Sequence, residues 1–305
     1  MQYTGSLCEL ISAQHNDLAA SGDRQDTELI DPDDDLPCQR KLGLRMHYSP
    51  WCRIRSNIEY QANNMKLQAI PGKVINKLSQ KIHALMGVDP VSGTRINGRD
   101  DLTRIGNTYG GWIVPSSLLD SDSICYCVGC GEDISFDLGM IDTFGCDVYG
   151  FDPTPKAIEY VKEHAGDNPK YHFQEVGLWD KEDTLKFYVP KNPDHVSHSL
   201  VNLQKTDEYI SVKVDRLSTL MERLGHQRID VLKLDIEGAE YKVIESAIED
   251  GIDIRILCVE YDECFNPLDA GYKDRIKESV DSLYGMGFTL VCAEGNGNYT
   301  FVREA

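Results

Sequence analysis

The stretch SICYCVGCGEDISFD, residues 123–137, marks the point where a polar connector gives way to alternating strand and helix patterns. Apolar residues run through SICYCV, two glycines follow at G-x-G spacing, and a helical pattern begins after them. A strand that runs through a glycine turn into a helix is typical of parallel sheets, where such turns face a ligand. The stretch therefore predicts an α/β fold and indicates where its binding loop lies.

The rest of the chain repeats this alternation, which is the mark of a sheet with helices on both faces. Main strands are predicted at 123–128, 146–151, 170–175, 229–234, 254–260, 287–293 and 298–303, with shorter strands at 184–190 and 209–214. Helices are predicted at about 133–143, 155–165, 216–224, 239–249 and 272–285. The turn EGNGN joins the last two main strands as a hairpin, so we expect a mostly parallel sheet with an antiparallel pair at its end.

Composition divides the chain into three predicted regions. Residues 1–40 are strongly acidic and predict a mobile arm. Residues 41–122 predict a helical N-terminal extension followed by a polar connector, with two helical stretches within 58–87. Residues 123–305 hold the strand–helix alternation and predict the α/β domain.

Charge and hydropathy argue against several classes of partner. The net charge is −19, and a chain that neutralises phosphates needs an excess of Lys and Arg, so we expect no nucleic-acid partner. No apolar stretch approaches the ~20 residues of a membrane helix, and the first residues lack a signal-peptide pattern. Ten cysteines, several within predicted strands, do not form a disulfide pattern. These features predict a cytoplasmic protein that does not act at a membrane.

The three cysteines of the opening stretch have two interpretations. Cys125 and Cys127 alternate along one strand, so both point to the same face, and Cys130 follows in the turn. A structural zinc site normally needs four ligands, commonly as two pairs, and the chain offers no second pair of this kind. We therefore favour small, buried packing residues, which free cysteines often are, over a metal site.

The glycine loop predicts an adenosine-type ligand. Gly129 and Gly131 leave backbone amides bare at a helix start, and Asp152 ends the next predicted strand, where an acid accepts hydrogen bonds from ribose hydroxyls. A dinucleotide loop needs a third small residue, but that position is Ile134. Glu132 and the acid after it would repel a pyrophosphate and attract an ammonium or sulfonium. S-adenosylmethionine is therefore favoured over NAD.

A second motif, RIDVLKLDIEGAEYKVIESAI at 228–248, places acids at the end of another strand. Asp235 and Glu237 follow an apolar strand and precede an amphipathic helix, at the edge where open α/β sheets bind ligands. The alternative is that Glu237 and Glu240 are first-turn acids favoured by the helix dipole.

With both motifs in view, the chain resembles an FkbM-type S-adenosylmethionine-dependent methyltransferase. The string VLKLDIEGAE is similar to that family's strand-to-helix motif, the lead-in VKVDRLSTLMERLG at 212–225 is similar as well, and the likeness runs from about 124 to 303. The glycine loop VGCGED departs from the common family form and is similar to a branch that carries an upstream Gly-Gly-Trp, here Gly110-Gly111-Trp112.

The resemblance implies a Rossmann-like class I methyltransferase with a seven-stranded sheet. It implies O-methylation of a hydroxyl or carboxylate on a small-molecule or glycan acceptor, such as a sugar or natural product. Carried over by position, the residues that it assigns are Gly129, Gly131 and Glu132 to the methionine end, Asp152 to the ribose, Gly177 and Leu178 to the adenine, Asp235 and Glu237 to the methyl group and acceptor, and Tyr109, Gly110 and Gly111 to closure over the cofactor.

Proton removal from a hydroxyl acceptor requires a general base or a metal. Glu237, His198 and Glu260 are the candidate bases. A less favoured alternative is a Mg²⁺-type ion bound by carboxylate oxygens. The acids that could bind it are Asp235, Glu237, Glu260, Asp262 and Glu263. Two other hypotheses stay open: an NAD-linked oxidoreductase, and a non-catalytic cofactor-binding scaffold.

Overall fold

A computed structural model describes residues 86–188, 207–295 and 297–304. The predicted acidic arm, His198 and all but the last two residues of the predicted helical stretches within 58–87 lie outside the described residues. The strands are, in chain order, β1 Leu102–Ile105, β2 Trp112–Pro115, β3 Ile124–Val128, β4 Asp147–Phe151, β5 Tyr171–Gln174, β6 Gly177–Trp179, β7 Asp183–Tyr188, β8 Tyr209–Arg216, β9 Ile229–Leu234, β10 Ile254–Glu260, β11 Phe288–Ala293 and β12 Asn298–Arg303. The helices are α1 Ser135–Phe144, α2 Pro155–Ala165, α3 Leu217–Leu224, α4 Glu240–Glu249 and α5 Tyr272–Gly285.

Seven of these strands form one sheet in the order β11-β12-β10-β9-β3-β4-β5. The pairs β10–β9, β9–β3, β3–β4 and β4–β5 are parallel, and β12 runs antiparallel to both of its neighbours. This confirms the predicted α/β class, the seven-stranded, mostly parallel sheet of Rossmann-like class I type and the terminal antiparallel pair. The chain leaves β3 towards β4 on one side and returns to β9 on the other, which makes the β3–β9 boundary a topological switch point.

Helices cover both faces of this sheet because the central strands are apolar on both sides. All six residues of β9 are buried, as in parallel strands that lie between two layers. Alternation along β3 sends Tyr126 and Val128 to the face that packs against α3, α4 and α5. It sends Cys125 and Cys127 to the opposite face, which packs against α1 and α2.

The segment predicted as a polar connector contains a β-hairpin that sequence analysis did not identify. Strands β1 and β2 pair antiparallel, with Ile105 opposite Trp112. The Trp112 ring is buried in the same core as α1, and the Thr300 hydroxyl donates a hydrogen bond to the carbonyl of Ile113 at 2.7 Å. Strands of four residues are too short to give a clear alternation pattern, and tertiary packing holds this pair in place.

A second small sheet, in the order β6-β8-β7, follows β5 in the chain. The two shorter strands predicted at 184–190 and 209–214 correspond to β7 and β8, which pair antiparallel. Strand β6 was not predicted as a strand, and it pairs parallel to the end of β8. Its first residue, Gly177, packs against Pro153 and Val214, which brings this sheet beside the end of β4.

The switch point depends on a close approach between the turn after β3 and the residue after β9. Gly129 has a φ of +83°, and a Cβ at this position would lie 1.7 Å from the backbone oxygen of Asp235. No side chain fits in that space, so glycine is required here both by conformation and by packing.

We expect Gly129→Ala to lower the free energy of unfolding by at least about 3 kcal/mol, because left-handed strain and a backbone clash add. Gly225→Ala is the matched control, since Gly225 also has a positive φ, +78°, but nothing lies within 4 Å of its Cβ position. That variant should lose about 1 kcal/mol. Urea denaturation measures both, and equal losses would contradict the close approach.

Candidate active site

A cavity of about 730 Å³ opens at the carboxyl ends of β4, β3, β9 and β10. The turns that follow these strands supply most of its wall, as expected for an open α/β sheet at its switch point. Leu178 and Phe187 line one end, beside β4, and Asn298 lines the other end, beside β10. The cavity is therefore elongated along the edge of the sheet, with the glycine loop and the β9 turn in its middle.

The glycine loop is held by Asp152. The amides of Cys130 and Gly131 both donate to Asp152 Oδ2, each at 3.0 Å, and the amide and hydroxyl of Thr154 donate to Oδ1 at 2.9 and 2.6 Å. These four hydrogen bonds match the capacity of a carboxylate. Asp152 lines the cavity as predicted, and its oxygens also hold the loop in place.

The β1–β2 hairpin contributes a second loop to the wall, and Asn107 holds it. Asn107 Oδ1 accepts hydrogen bonds from the amides of Tyr109 and Gly110, while its Nδ2 donates to Asp133 Oδ2 at 2.7 Å. Gly110 packs so closely on Asp133 that a Cβ would lie 2.7 Å from the carboxyl carbon. The Tyr109 side chain, 86% exposed, stands at the mouth of the cavity.

Asp133 is therefore a fixed anion of this wall. Burial favours its neutral form, but hydrogen bonds from Ser135 and Asn107 outweigh burial and lower the pKa of Asp133. Glu132, next to it, is exposed at the cavity.

Lys233, the last residue but one of β9, lies beneath both central turns. Its side chain is 5% exposed, and its Nζ donates to the backbone oxygen of Gly129 at 2.7 Å and lies 3.3 Å from Asp235 Oδ2. Burial alone lowers the pKa of a lysine, but the carboxylates of Asp235 and Asp137 outweigh it, so the pKa of Lys233 is raised. The ammonium therefore stays charged and joins the β3 loop to the β9 turn.

The β9 turn itself is strained and capped. Glu237 has a φ of +54°, which is uncommon outside glycine and costs of order 1 kcal/mol. The carboxylate of Glu240 stabilises the turn, because its Oε1 accepts from the amides of Ile236 at 3.1 Å and Gly238 at 3.0 Å. Glu240 is therefore an acid of the first helical turn with a structural role, whereas Glu237 lines the cavity.

Two carboxyl pairs form beside this turn. Burial, and then the neighbouring charge and hydrogen bond of Asp235, raise the pKa of Glu260 to about 9. Burial likewise raises the pKa of Glu240 to about 7, and that of Asp262 is raised by burial and by the nearby charge of Glu240. Each pair thus keeps a proton between its two acids at neutral pH.

The cavity brings together most of the residues that the sequence singled out. The predicted residues that line it are Tyr109, Gly110, Gly129, Gly131, Glu132, Asp152, Gly177, Leu178, Asp235, Glu237 and Glu260. Gly111 does not line the cavity. It packs within the hairpin loop, where a Cβ would lie 2.2 Å from the backbone oxygen of Asn107. His198 lies outside the described residues.

Several residues of the wall are not among those predicted from the sequence. Lys233 had a signal, namely a positive charge near the end of a mostly apolar strand, IDVLKL. Phe265, Asn266 and Asn298 had none, because they follow β10 or begin β12 and meet the cavity only through the order of the strands.

The oxygen-ligand hypothesis for a metal does not match this arrangement. Glu263 lies away from the cavity wall, where it pairs with Arg275 and accepts from the Tyr241 hydroxyl at 3.0 Å. Within 86–188, 207–295 and 297–304, no group of three or more His, Cys, Asp or Glu side chains is arranged to hold a metal ion. The thiols of Cys125, Cys127 and Cys130 are buried and unbridged, in agreement with the packing interpretation.

A seven-stranded sheet in which β12 lies antiparallel between β10 and β11 is the sheet of the Rossmann-like class I methyltransferases. Residues 130–276 match the methyltransferase FkbM domain, and this match confirms the family resemblance.

Curated relatives agree with this family. Probable methyltransferase-like protein 24 of Rattus norvegicus is 24% identical over 220 residues, which cover 69% of this chain and 52% of that protein. The Homo sapiens protein of the same name is 29% identical over 124 residues, 40% of this chain and 27% of that protein. The chain spans about half the length of the rat relative that it matches.

Among solved structures, the methyltransferase FkbM from Methylobacillus flagellatus KT is 10% identical, with a TM-score of 0.38, and the match covers 60% of this chain and 44% of that one. The fibrillarin of Aeropyrum pernix, solved with natively bound S-adenosyl-L-methionine, is 12% identical, with a TM-score of 0.36 and coverage of 70% and 84%. Because these scores are low, the assignment of the fold depends on the strand order and the family match.

We expect Lys233→Met to lower the free energy of unfolding by about 3 kcal/mol, because it leaves buried carboxylates without their cation. Lys242→Met is the matched control: Lys242 is exposed on α4 and pairs with Glu245, so its loss should cost below about 1 kcal/mol. Urea denaturation of both variants measures the difference. A loss below about 1 kcal/mol in Lys233→Met would refute the proposed link between the two turns.

The raised pKa of Glu260 predicts a pH dependence of stability. Its ordinary pKa of 4.5 rises to about 9 on folding, so the proton held by the folded state stabilises it below the ordinary value, and this contribution is lost as pH rises through about 9. Glu260→Gln should flatten the fall in unfolding free energy over this window by up to about 1 kcal/mol per pH unit. Glu278→Gln, at an exposed position on α5, should keep the wild-type slope; if Glu260→Gln keeps it too, Glu260 is not the titrating group.

Proposed function

We propose that this protein transfers a methyl group from S-adenosylmethionine to an oxygen of a small-molecule or glycan acceptor. The observation that carries the proposal is the charge of the cavity. Acids stand at the glycine loop and at the ends of β9 and β10, while the one cation among the described residues that line the cavity, Lys233, is bound to Gly129 and Asp235. Such a wall favours a cationic ligand and disfavours a pyrophosphate.

The residues of the wall suit this cofactor along its length. Gly129 and Gly131 have positive φ and keep the loop bare, and Asp133 and Glu132 offer negative charge to the ammonium of the methionine part. Leu178 and Phe187 supply apolar surface at the β4 end, which suits an adenine. Asp235 and Glu237, between the two ends, would face the methyl group.

Bound S-adenosylmethionine supplies an electrophilic methyl group: the acceptor oxygen forms the new bond to the methyl carbon, and the electron pair of the breaking S–C bond stays on sulfur. The chain contributes alignment, because Lys233 and Asp152 fix the turns on which the cavity is built. When the acceptor is a hydroxyl, its proton passes to a carboxylate of the chain.

Glu237 is the base that the geometry favours. It lines the cavity from the strained β9 turn, and Glu240 holds the backbone of that turn in place. Asp235 is less suited, because Lys233 and Glu260 share its charge. Glu260 keeps its own proton at neutral pH and would donate a hydrogen bond instead.

The test is calorimetry followed by turnover. We expect S-adenosylmethionine and S-adenosylhomocysteine to bind and NAD not to bind, and S-adenosylhomocysteine to form with an acceptor from a panel of hydroxyl compounds and carboxylic acids. Binding of NAD would overturn the proposal in favour of an oxidoreductase, and cofactor binding with no turnover on any acceptor would favour a scaffold.

Glu237→Gln distinguishes the two kinds of oxygen acceptor. With a hydroxyl acceptor we expect turnover to fall by about a hundredfold or more, because general-base catalysis is lost while cofactor affinity is kept. Glu245→Gln, exposed on α4, is the control and should retain wild-type turnover. An unchanged rate in Glu237→Gln would show that Glu237 is not the base, as with a carboxylate acceptor.

A further inference from the structure

The end of the cavity beside β10 and β12 is distinct from the part that suits the cofactor. Asp262, Phe265 and Asn266 follow β10, and Asn298 begins β12 opposite Glu260 in the register. We call these four residues the acceptor end. The strand order β12-β10-β9-β3-β4 places this end on the far side of β9 from the glycine loop and the β4 end.

The acceptor end offers negative charge and no free positive charge. Asp262 lies in its wall and shares one proton with Glu240, so this pair keeps one negative charge, and Glu237 lines the adjoining part of the cavity. Lys233 is held by Gly129 and Asp235, on the side of the glycine loop, so it is not available to an anionic acceptor. A carboxylate or phosphate on the acceptor would therefore meet only like charges among the described residues of this end.

Two buried side chains of this wall hold an oxygen without a hydrogen-bond partner among the described residues. Asn298 is 7% exposed, and its Oδ1 has none. Asp262 is 6% exposed, and its Oδ2 has none apart from the proton that it shares with Glu240. Buried polar atoms are rarely left unsatisfied. A ligand that donates N–H bonds would satisfy Asn298 Oδ1, and it would satisfy Asp262 Oδ2 in place of the shared proton.

An aromatic ring stands beside these acceptors. Phe265 is 54% exposed although it lines the cavity, so its ring is open to a bound molecule. Carboxylates next to an open aromatic ring are the chemistry that recognises an ammonium group, through charge and through the π face.

We infer that the acceptor carries a protonated amine, and that this amine binds at the acceptor end between Asp262, Asn298 and Phe265. The methylated oxygen would then lie nearer to Glu237. The inference rests on the proposed function, because it names the class of acceptor for the same transfer.

The experiment measures binding to protein already loaded with S-adenosylhomocysteine, by calorimetry, with three related sugars as probes: glucosamine, glucose and glucuronate. These carry an ammonium, no charge and a carboxylate. We expect glucosamine to bind at least about tenfold more tightly than glucose, and glucuronate to bind most weakly. Equal binding of the three, tighter binding of glucuronate, or no binding of any of them would overturn the inference.

A pair of variants tests the location. Asp262→Asn should weaken glucosamine binding by about tenfold relative to glucose, because a bound ammonium would displace the proton shared by Asp262 and Glu240, and the variant then offers one carboxylate instead of two. Asp253→Asn, which removes the same charge at the opposite end of β10, should leave both affinities unchanged. An unchanged preference for glucosamine in Asp262→Asn would move the amine elsewhere.

Failure of the inference and failure of the proposed function give different results. If S-adenosylhomocysteine does not bind to the wild-type protein, the proposed function fails. If it binds and the ammonium is not preferred, only the class of acceptor is wrong.

Discussion

The fold and the site depend on one contact, the approach of Gly129 to the backbone oxygen of Asp235. The parallel strands β3 and β9 are neighbours at the point where the strand order reverses. The turns that follow them meet with no room for a side chain between them. The buried ammonium of Lys233 holds the contact from below, since it binds an oxygen of each turn. Packing, conformation and charge thus converge on the same few atoms, and the cavity opens directly above them.

Around that contact the protein concentrates carboxyl groups and limits their charge. Some acids are used as structural acceptors: Asp152 holds the glycine loop and Glu240 holds the β9 turn. Others are crowded enough to keep protons, as Glu260 does beside Asp235. A wall built this way tolerates its own acids when empty and can still become more negative when a positive ligand takes the place of the protons.

Sequence alone predicted the seven main strands and the five helices, because apolar runs and glycine turns determine these locally. It also located the two turns of the site, since both follow predicted strands. It did not predict the role of Asp152, because spacing shows where an acid lies but not which donors reach it. It missed the β1–β2 hairpin and Asn298, whose positions are set by pairing with strands far away in the chain.

The hairpin has a consequence for the limits of the domain. The family match begins at residue 130, but the central strand β3 ends at Val128 and the loop that carries Tyr109 precedes it. A fragment cut at the start of the match would lose the middle of its sheet and one wall of its cavity together. The smallest independently folding unit must therefore begin upstream of Leu102, and chimaeras between relatives should exchange the hairpin along with the glycine loop on which it rests.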